Sequence, residues 1–416
     1  MARFVRSTRF SLWLAVAVIV GLVVPSALGA LPQRGSWIAV SDPVPLGLAV
    51  ATALRFPDVT AVQSALTVPL AESEESSAAT AAGAVTVQVT VRPSDVPTIP
   101  IIPIIPGDDP ERELVRVAGA DRYETALEAS RDFDTAPIAV LATGANWPDA
   151  LGGTALAGAV RGPLLLTRPD GLPAAVRDEL TRLGVARVYI LGGTGAVSNT
   201  VQSALWDMGL VVERLGGADR YATGRLVADE TIRILGAAYT GDALVATGTN
   251  FPDATGGSAL AAALGRPILL VRPTGEVYVP AATRRVTILG GTGAVSAQVE
   301  IALQRRLGAA NVVRAGGADR YETAARIAEV GVEAGMTWDG VGVATGADFP
   351  DALSGGAMLG AHNSVLLLTR PTLLSPEAET RLSANADDID RVNIFGGTGA
   401  VSLEAEDAVR RITGLF

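Results

Sequence analysis

The sequence repeats itself three times after its first quarter, and this repetition limits the folds that it can adopt. The first signature of each copy contains the letters GADRY, at 119–123, 217–221 and 317–321. Three further signatures follow in fixed order: ATG with a later PDA, an apolar run ending in RP, and GGTGAVS. The period of roughly 100 residues is longer than the about 20–50 residues of a solenoid unit. Each copy therefore has the length of a small domain.

Within a copy, short apolar runs alternate with longer segments of helical character. In copy one the runs predict buried strands at 114–117, 138–142, 164–167 and 188–191. The segments between and after them predict helices at 121–133, 148–159, 173–183 and 198–208. This alternation indicates parallel βαβ units with helices on both faces of a sheet. We predict an α/β fold of three tandem three-layer modules with mainly parallel sheets.

In such a module every strand-to-helix turn lies on one edge of the sheet. Each signature follows a predicted strand, so we expect the four signatures of a copy to gather at the carboxyl edge. Open α/β sheets bind ligands at this edge. The alternative is that the same edge packs one copy against the next. The sequence leaves both interpretations open.

Each GADRY places an arginine and a tyrosine at the predicted start of a helix. The preceding aspartate is a favourable N-cap, and Glu124 or Glu322 adds an acidic capping arrangement that copy two lacks. The helix dipole disfavours an arginine at this position. We therefore predict that the arginine meets a ligand or a partner carboxylate. The pairs are Arg122 and Tyr123, Arg220 and Tyr221, and Arg320 and Tyr321.

Two further sets of charged residues recur in every copy. One aspartate lies in the first turn of each second helix, where it is a candidate partner for the GADRY arginine. One arginine ends each third strand before a proline, which restricts its backbone to extended conformations. We include both sets among the candidate ligand-binding residues. The aspartates are Asp149, Asp253 and Asp351, and the arginines are Arg168, Arg272 and Arg370.

The GGTGAVS signature partly matches a dinucleotide-binding fingerprint, with Glu213 at a suitable distance. The equivalent of Glu213 in the next copy is Val313, which argues against a nucleotide site. We interpret the signature as a tight turn whose backbone N–H groups bind an anion weakly. The candidate glycines are Gly193, Gly195, Gly291, Gly293, Gly397 and Gly399.

The composition excludes several kinds of chemistry. The chain has no cysteine and no lysine, which rules out thiol chemistry, Schiff bases and a phosphate-loop lysine. Its single histidine, His362, is replaced by alanine in the other copies, so we expect a surface or packing role. The net charge of −10 disfavours nucleic acid and anionic membranes as partners. We expect no catalytic residue, no metal site and no cofactor.

The residues before the repeats predict export. Residues 1–29 have the charged start, apolar centre and small-residue end of a secretory signal peptide, with an uncleaved membrane anchor as the alternative. Once the peptide is cleaved, no membrane contact is expected. Residues 30–92 have no assigned role, although alternating valines at 85–91 indicate one strand. Residues 93–110 form a Pro-rich linker, and the repeats occupy 111–209, 210–309 and 310–416.

Together the four signatures resemble the type-2 cell-wall-binding repeat of Gram-positive surface proteins, over 111–416. The resemblance implies Rossmann-like or toprim-like modules grouped with pseudo-threefold symmetry. It also implies non-covalent attachment to an anionic secondary polymer of the wall, such as a teichoic-type polymer or a polysaccharide. The segments similar to the family's apolar strand motif are 164–166, 268–270 and 366–368.

The first functional hypothesis is accordingly an exported wall-binding protein without enzyme activity. Family members often carry an effector domain, but residues 30–92 are short and contain no histidine. One alternative is a cell-wall hydrolase, amidase-like, with its chemistry inside the repeats. Another is an exported protein that binds a phosphorylated small molecule.

Overall fold

The computed structural model describes residues 63–67, 86–90 and 112–415. The strands β1 (Gln63–Thr67) and β2 (Thr86–Thr90) pair with each other in antiparallel orientation. The strand predicted at 85–91 is therefore confirmed. The predicted signal peptide and linker lie outside the described residues.

Residues 112–415 belong to one compact unit that contains three four-stranded sheets, and every pairing in them is parallel. Copy one supplies β3 (Glu113–Val117), β4 (Ile138–Thr143), β5 (Leu164–Thr167) and β6 (Arg187–Leu191). Copy two supplies β7 (Val211–Leu215), β8 (Asp242–Thr247), β9 (Ile268–Val271) and β10 (Arg285–Leu289). Copy three supplies β11 (Val312–Ala315), β12 (Thr337–Thr345), β13 (Ser364–Thr369) and β14 (Arg391–Phe395). The predicted class, three parallel α/β modules, is confirmed.

Helices cover the sheets. Those of copy one are α1 (Arg122–Ser130), α2 (Gly153–Val160), α3 (Ala174–Arg182) and α4 (Asn199–Asp207). Those of copy two are α5 (Arg220–Leu235), α6 (Pro252–Gly256), α7 (Ser258–Ala263) and α8 (Ala297–Leu307). Those of copy three are α9 (Arg320–Glu333), α10 (Pro350–Ala361), α11 (Pro376–Ala384) and α12 (Leu403–Thr413). No helix in 112–415 combines the length and hydrophobicity needed to cross a bilayer.

The first strand of each copy does not lie in the sheet formed by the rest of that copy. The sheet orders are β5-β4-β6-β7, β9-β8-β10-β11 and β13-β12-β14-β3. The prediction that the four signatures of a copy share one sheet is therefore wrong for GADRY. The reason is that the following helix crosses between sheets: α1 leaves β3 and packs on β5, and α5 and α9 make the equivalent crossings.

Because of this exchange, the chain closes on itself. Strand β3 of copy one completes the sheet of copy three, with Glu113 opposite Arg391 and Val117 opposite Phe395. The side chain of Arg116 forms an ion pair with Glu406 in α12 and also donates to Gly396 O at 2.7 Å. The three modules thus form a ring. In the third sheet β3 does not follow the helix after β14, whereas β7 follows α4 and β11 follows α8 in the other two sheets.

Helices α2, α7 and α10, one from each copy, pack on one another at the centre of the ring. Small residues allow this close approach: a Cβ on Gly158 would lie 2.1 Å from Ala262 O. The Ser258 hydroxyl donates to Ala352 O at 2.8 Å across the interface between copies two and three. The largest buried hydrophobic cluster accordingly contains residues from all three copies.

Copy two departs from the others between its third and fourth strands. The predicted helix at this point is present in copies one and three, as α3 and α11, but in copy two the segment 272–284 is irregular. Gly275 has φ +87°, and Pro273 and Pro280 interrupt any helical run.

Candidate functional site

Three equivalent sites lie at the carboxyl edges of the sheets, each between neighbouring copies. Each combines the PDA aspartate and GGTGAVS turn of one copy with the GADRY residues of the next. Site I contains Asp149 and Arg220, site II contains Asp253 and Arg320, and site III contains Asp351 and Arg122. Cavities of about 400 Å³ and about 410 Å³ mark sites II and III respectively.

The GADRY helix starts as predicted. Asp121 Oδ1 accepts hydrogen bonds from Tyr123 N and Glu124 N, at 2.9 Å and 3.0 Å. Glu124 in turn accepts from Ala120 N at 2.8 Å, and Asp319 and Glu322 repeat the arrangement in copy three. This capping fixes the helix start, so the next side chain projects from a rigid position.

The half-buried GADRY arginine bridges two copies. Arg220 Nη1 donates to Gly248 O in its own copy at 2.9 Å, and its guanidinium lies 4.6 Å from the ring centroid of Trp147 in the preceding copy. The equivalent stacks are Arg320 on Phe251 at 5.9 Å and Arg122 on Phe349 at 5.6 Å. A cation over an aromatic face gains roughly 0.5–2 kcal/mol.

The three aromatic residues meet near the centre of the ring. The ring centroids of Trp147 and Phe251 are 6.3 Å apart, and those of Phe251 and Phe349 are 6.2 Å apart. These residues are not among the predicted site residues. The signal that identifies them is an aromatic side chain directly before PD in every copy.

The PDA aspartates do not pair with the GADRY arginines in the described structure, so that predicted partnership is wrong. The glycine turn faces them instead, since a Cβ on Gly192, Gly290 or Gly396 would lie within 2.7 Å of the carboxylate. Burial raises the pKa of Asp253, against a smaller opposing effect of Arg320. Burial, reinforced by the charge of Asp348, raises the pKa of Asp351 to about 6.

The glycine turn offers fewer open amides than expected. Its residues with positive φ are Gly192, Gly290 and Gly396, at 95°, 100° and 98°, each directly before the first selected glycine. The selected glycines line the turns: Gly193 and Gly195, Gly291 and Gly293, Gly397 and Gly399. In each turn, the backbone N–H groups of the alanine and valine before the serine donate to the carbonyl oxygen of the first selected glycine. These acceptors are Gly193, Gly291 and Gly397. Fewer amides are therefore open to an anion than predicted.

The second arginine of each copy lies beside the GADRY tyrosine. Arg168, Arg272 and Arg370 stack over Tyr123, Tyr221 and Tyr321, at 5.4, 4.4 and 5.3 Å from the ring centroids. Arg272 also pairs with the N-cap Asp219 at 2.9 Å, and Arg168 lies 3.9 Å from Asp121. The tyrosine itself packs tightly, since a Cβ on Gly144 would be 2.6 Å from the Tyr123 ring.

The single histidine lies away from the three sites. His362 follows α10 and contacts Asp132, which joins copy three to copy one. That contact raises the pKa of His362. Glu213, the acid of the partial nucleotide fingerprint, pairs with Arg187 at 3.0 Å in the sheet of copy one. Neither residue takes part in the repeated site.

Comparison with known families gives one match, repeated three times. The family model described as cell wall binding domain 2 matches residues 116–202, 214–300 and 314–406. These ranges cover most of the chain and include the residues of all three sites.

Two curated relatives come from Bacillus subtilis (strain 168). N-acetylmuramoyl-L-alanine amidase LytC is 29% identical over 320 residues, which are 74% of this chain and 60% of the relative. The amidase enhancer is 29% identical over 297 residues, 71% of this chain and 40% of the relative. The chain thus spans less than two thirds of either protein.

Two solved structures from Clostridium difficile have a similar fold. Cwp8 matches with a TM-score of 0.64 and 24% identity, over 73% of this chain and 52% of that one. Cwp6 matches with a TM-score of 0.63 and 22% identity, over 84% of this chain and 52% of that one. At this identity the likeness establishes the shared three-module fold.

Proposed function

Because the chain belongs to the cell wall binding domain 2 family, we propose that it is an exported protein that attaches non-covalently to the Gram-positive cell wall. The ligand is an anionic secondary wall polymer, of a teichoic or polysaccharide type, and the protein itself has no enzyme activity. The pattern of residues 1–29 supports export. One observation carries the proposal: the same composite site occurs three times in one ring.

The local charges of the sites support an anionic ligand despite the net charge of −10. Arg220 and Arg320 donate to a glycine carbonyl and stack on an aromatic ring, but neither has a carboxylate partner within ion-pair distance among the described residues. A charge-assisted hydrogen bond from such an arginine contributes about 1.5–3 kcal/mol. Three linked sites on one repetitive polymer raise avidity by about 10²–10⁴.

A wall-binding assay tests the proposal. The full chain is incubated with purified Gram-positive walls, before and after the phosphate-bearing polymers have been extracted, at low and high salt. We expect retention on intact walls, weaker retention at high salt because arginine–anion attraction is screened, and loss after extraction. Equal retention on extracted walls would show that the anionic polymer is not the ligand.

Two sets of variants locate the binding surface. Replacing Arg168, Arg272 and Arg370 together by Gln removes the exposed or half-buried arginines beside the sites, and we expect weaker wall binding with an unchanged melting temperature. The matched control replaces Arg177, Arg284 and Arg411, one exposed arginine per copy away from the sites, and should bind like the wild type. Intact binding by the first set would exclude these arginines as ligand donors.

A second candidate function is a cell-wall hydrolase. The observation that favours it is the raised pKa of Asp351, about 6, which would suit a general acid. Release of soluble fragments from purified walls distinguishes the two functions, since a binding protein releases none. Binding of a phosphorylated sugar in place of walls would instead support the small-molecule alternative.

A further inference from the structure

Sites I, II and III differ in one residue next to the stacked aromatic ring. Sites I and II have Asn146 and Asn250 at this position, and site III has Asp348. All three make the same local contact: the side-chain Oδ1 accepts the backbone N–H of the following residue at 2.9 Å. An amide oxygen satisfies this contact as well as a carboxylate does. The negative charge of Asp348 therefore serves another purpose.

The second oxygen of Asp348 faces the arginine of its site. Asp348 Oδ2 lies 3.1 Å from Arg122 Nη2, and this pair joins copy three to copy one. The equivalent arginines in sites I and II, Arg220 and Arg320, have no carboxylate at this distance in the described residues. The charge that an anionic ligand would need in site III is thus already balanced.

Site III also holds a second acid. Its lining contains Asp121, Arg122, Asp348 and Asp351, so three carboxylates surround one arginine. Asp121 caps α1 through two backbone N–H groups. The carboxylates of Asp348 and Asp351 repel each other, and this adds to the burial that raises the pKa of Asp351 to about 6.

The charged groups on the neighbouring elements do not remove this repulsion. Behind the glycine turn, Arg116 is paired with Glu406. Beside it, Arg320 donates to Gly346 O at 2.5 Å and stacks on Phe251 in site II. Among the described residues, Arg122 has one ion-pair partner, which is Asp348.

We propose that Asp348 closes site III to anionic groups, while sites I and II bind them. This inference rests on the proposed function and deepens it. The wall polymer is accordingly held through sites I and II. The charge at position 348 makes this difference, because asparagine occupies the equivalent positions 146 and 250 of sites I and II.

The test compares the dissociation constants of the wild type and Asp348→Asn for purified Gram-positive walls at pH 7.5, using the full chain. Asp348→Asn should bind at least about tenfold more tightly than the wild type, which corresponds to one charge-assisted hydrogen bond. Because both proteins are compared at the same pH, titration of the wall itself cancels.

Matched variants introduce the same charge elsewhere. Asn146→Asp and Asn250→Asp each place a carboxylate at the equivalent position of sites I and II, and each should weaken binding at pH 7.5 by a similar factor. Inorganic phosphate provides a second probe, since it should protect Asp348→Asn against heat at pH 7.5 more than the wild type.

The outcomes separate the inference from the function on which it rests. If the wild type binds walls but Asp348→Asn has the same dissociation constant at pH 7.5, the inference is wrong and the proposed function stands. If Asp348→Asn has a lower melting temperature but unchanged wall binding, Asp348 only stabilises the junction between copies three and one, and the inference is again wrong. If the wild type does not bind walls, the proposed function fails.

Discussion

At the scale of single residues, each site depends on a glycine and an aspartate that occupy the same small space. The turn needs φ near +95° to +100° at Gly192, Gly290 and Gly396, which residues with a side chain rarely adopt. The neighbouring carboxylate would also collide with any Cβ there. The glycine therefore sets both the course of the turn and the position of the acid.

Gly396→Ala should lower the free energy of unfolding by about 1–3 kcal/mol, because it combines backbone strain with a Cβ 2.3 Å from Asp351 Oδ2. The matched control is Gly399→Ala in the same turn, where no atom lies within 4 Å of the new Cβ and φ is not positive. Urea denaturation of both variants measures the difference. Equal stability of the two would contradict this account of the turn.

The pKa of Asp351 predicts a pH-dependent stability. Its pKa rises from about 3.8 when unfolded to about 6 when folded, so the folded state binds the proton more tightly. The wild type therefore loses stability as the pH rises from about 4 to about 6. Asp351→Asn cannot ionise, and we expect it to be more stable than the wild type at pH 7.5 by about 1–2 kcal/mol. This value allows for partial solvent screening.

At pH 4 the advantage of Asp351→Asn should largely vanish, because the wild-type carboxyl is then protonated in the folded state and partly so in the unfolded one. Asp170→Asn, an exposed change in a loop, controls for the general effect of removing a carboxylate. Denaturant midpoints at both pH values provide the measurement. An advantage of the same size at pH 4 would show that titration of Asp351 is not its source.

At the scale of elements, the central helices depend on small residues at their crossings. Alanine is favoured over glycine inside a helix by about 1 kcal/mol, so helix propensity alone would make Gly158→Ala stabilising. A Cβ at this position would lie 2.1 Å from the backbone oxygen of Ala262, which cannot rotate away. The steric effect should therefore outweigh the propensity.

We expect Gly158→Ala to lower the melting temperature of the protein. The matched control is Gly224→Ala in α5, where the nearest atom is a flexible leucine methyl at an ordinary 3.4 Å. That variant should have equal or higher stability, by up to about 1 kcal/mol. Thermal melts by circular dichroism compare the two. A stabilising Gly158→Ala would mean that the helices can separate at no cost.

The sequence predicts the elements well and their partners poorly. Apolar runs identified the strands of copy one to within a residue, because buried parallel strands require them. Nothing in 114–117 specifies which sheet the strand joins, since its apolar side chains would fit any of the three. The exchange of first strands, and with it the composite nature of the sites, needs three-dimensional packing to become visible.

The same holds for the site residues: the sequence indicates which residues need a partner, but not which partner each one contacts. The GADRY arginines were selected because they oppose a helix dipole, and each does meet a partner, although mainly a carbonyl and an aromatic ring. Their suggested pairing with Asp149, Asp253 and Asp351 failed, because these acids lie behind the glycine turn. Charge complementarity indicates which residues attract one another, and backbone geometry decides which of them meet.

At the scale of the whole molecule, the third sheet gains its edge strand β3 by strand pairing and side-chain contacts. Crossing helices α1, α5 and α9 span all three junctions, but α12 does not lead into β3 as α4 and α8 lead into β7 and β11. Between copy three and copy one the chain is not continuous, and β3 pairs with β14 there. Arg112 adds hydrogen bonds to Ile389 O at 2.9 Å and 2.7 Å.

A chain lacking residues 1–117 should consequently lose stability in the third module first. Amide exchange should accelerate in β14, which loses its neighbour β3 and keeps only β12. It should change much less in the equivalent strand β6 of copy one, which keeps β7. The control is a chain lacking residues 1–110, which retains β3. Equal protection of β14 in both truncated proteins would show that β3 does not secure the junction.

The direction of β3 has a mechanical consequence. Its amino end, where the N-terminal part of the chain is attached, points away from the carboxyl edge at which the three sites lie. A protein held to a wall through those sites and pulled through its N-terminal segment is therefore loaded along the strand axis. All the hydrogen bonds between β3 and β14 then resist the pull together in shear, whereas peeling from one end would break them singly. The pairing that joins β3 to the third sheet is thus oriented to withstand tension.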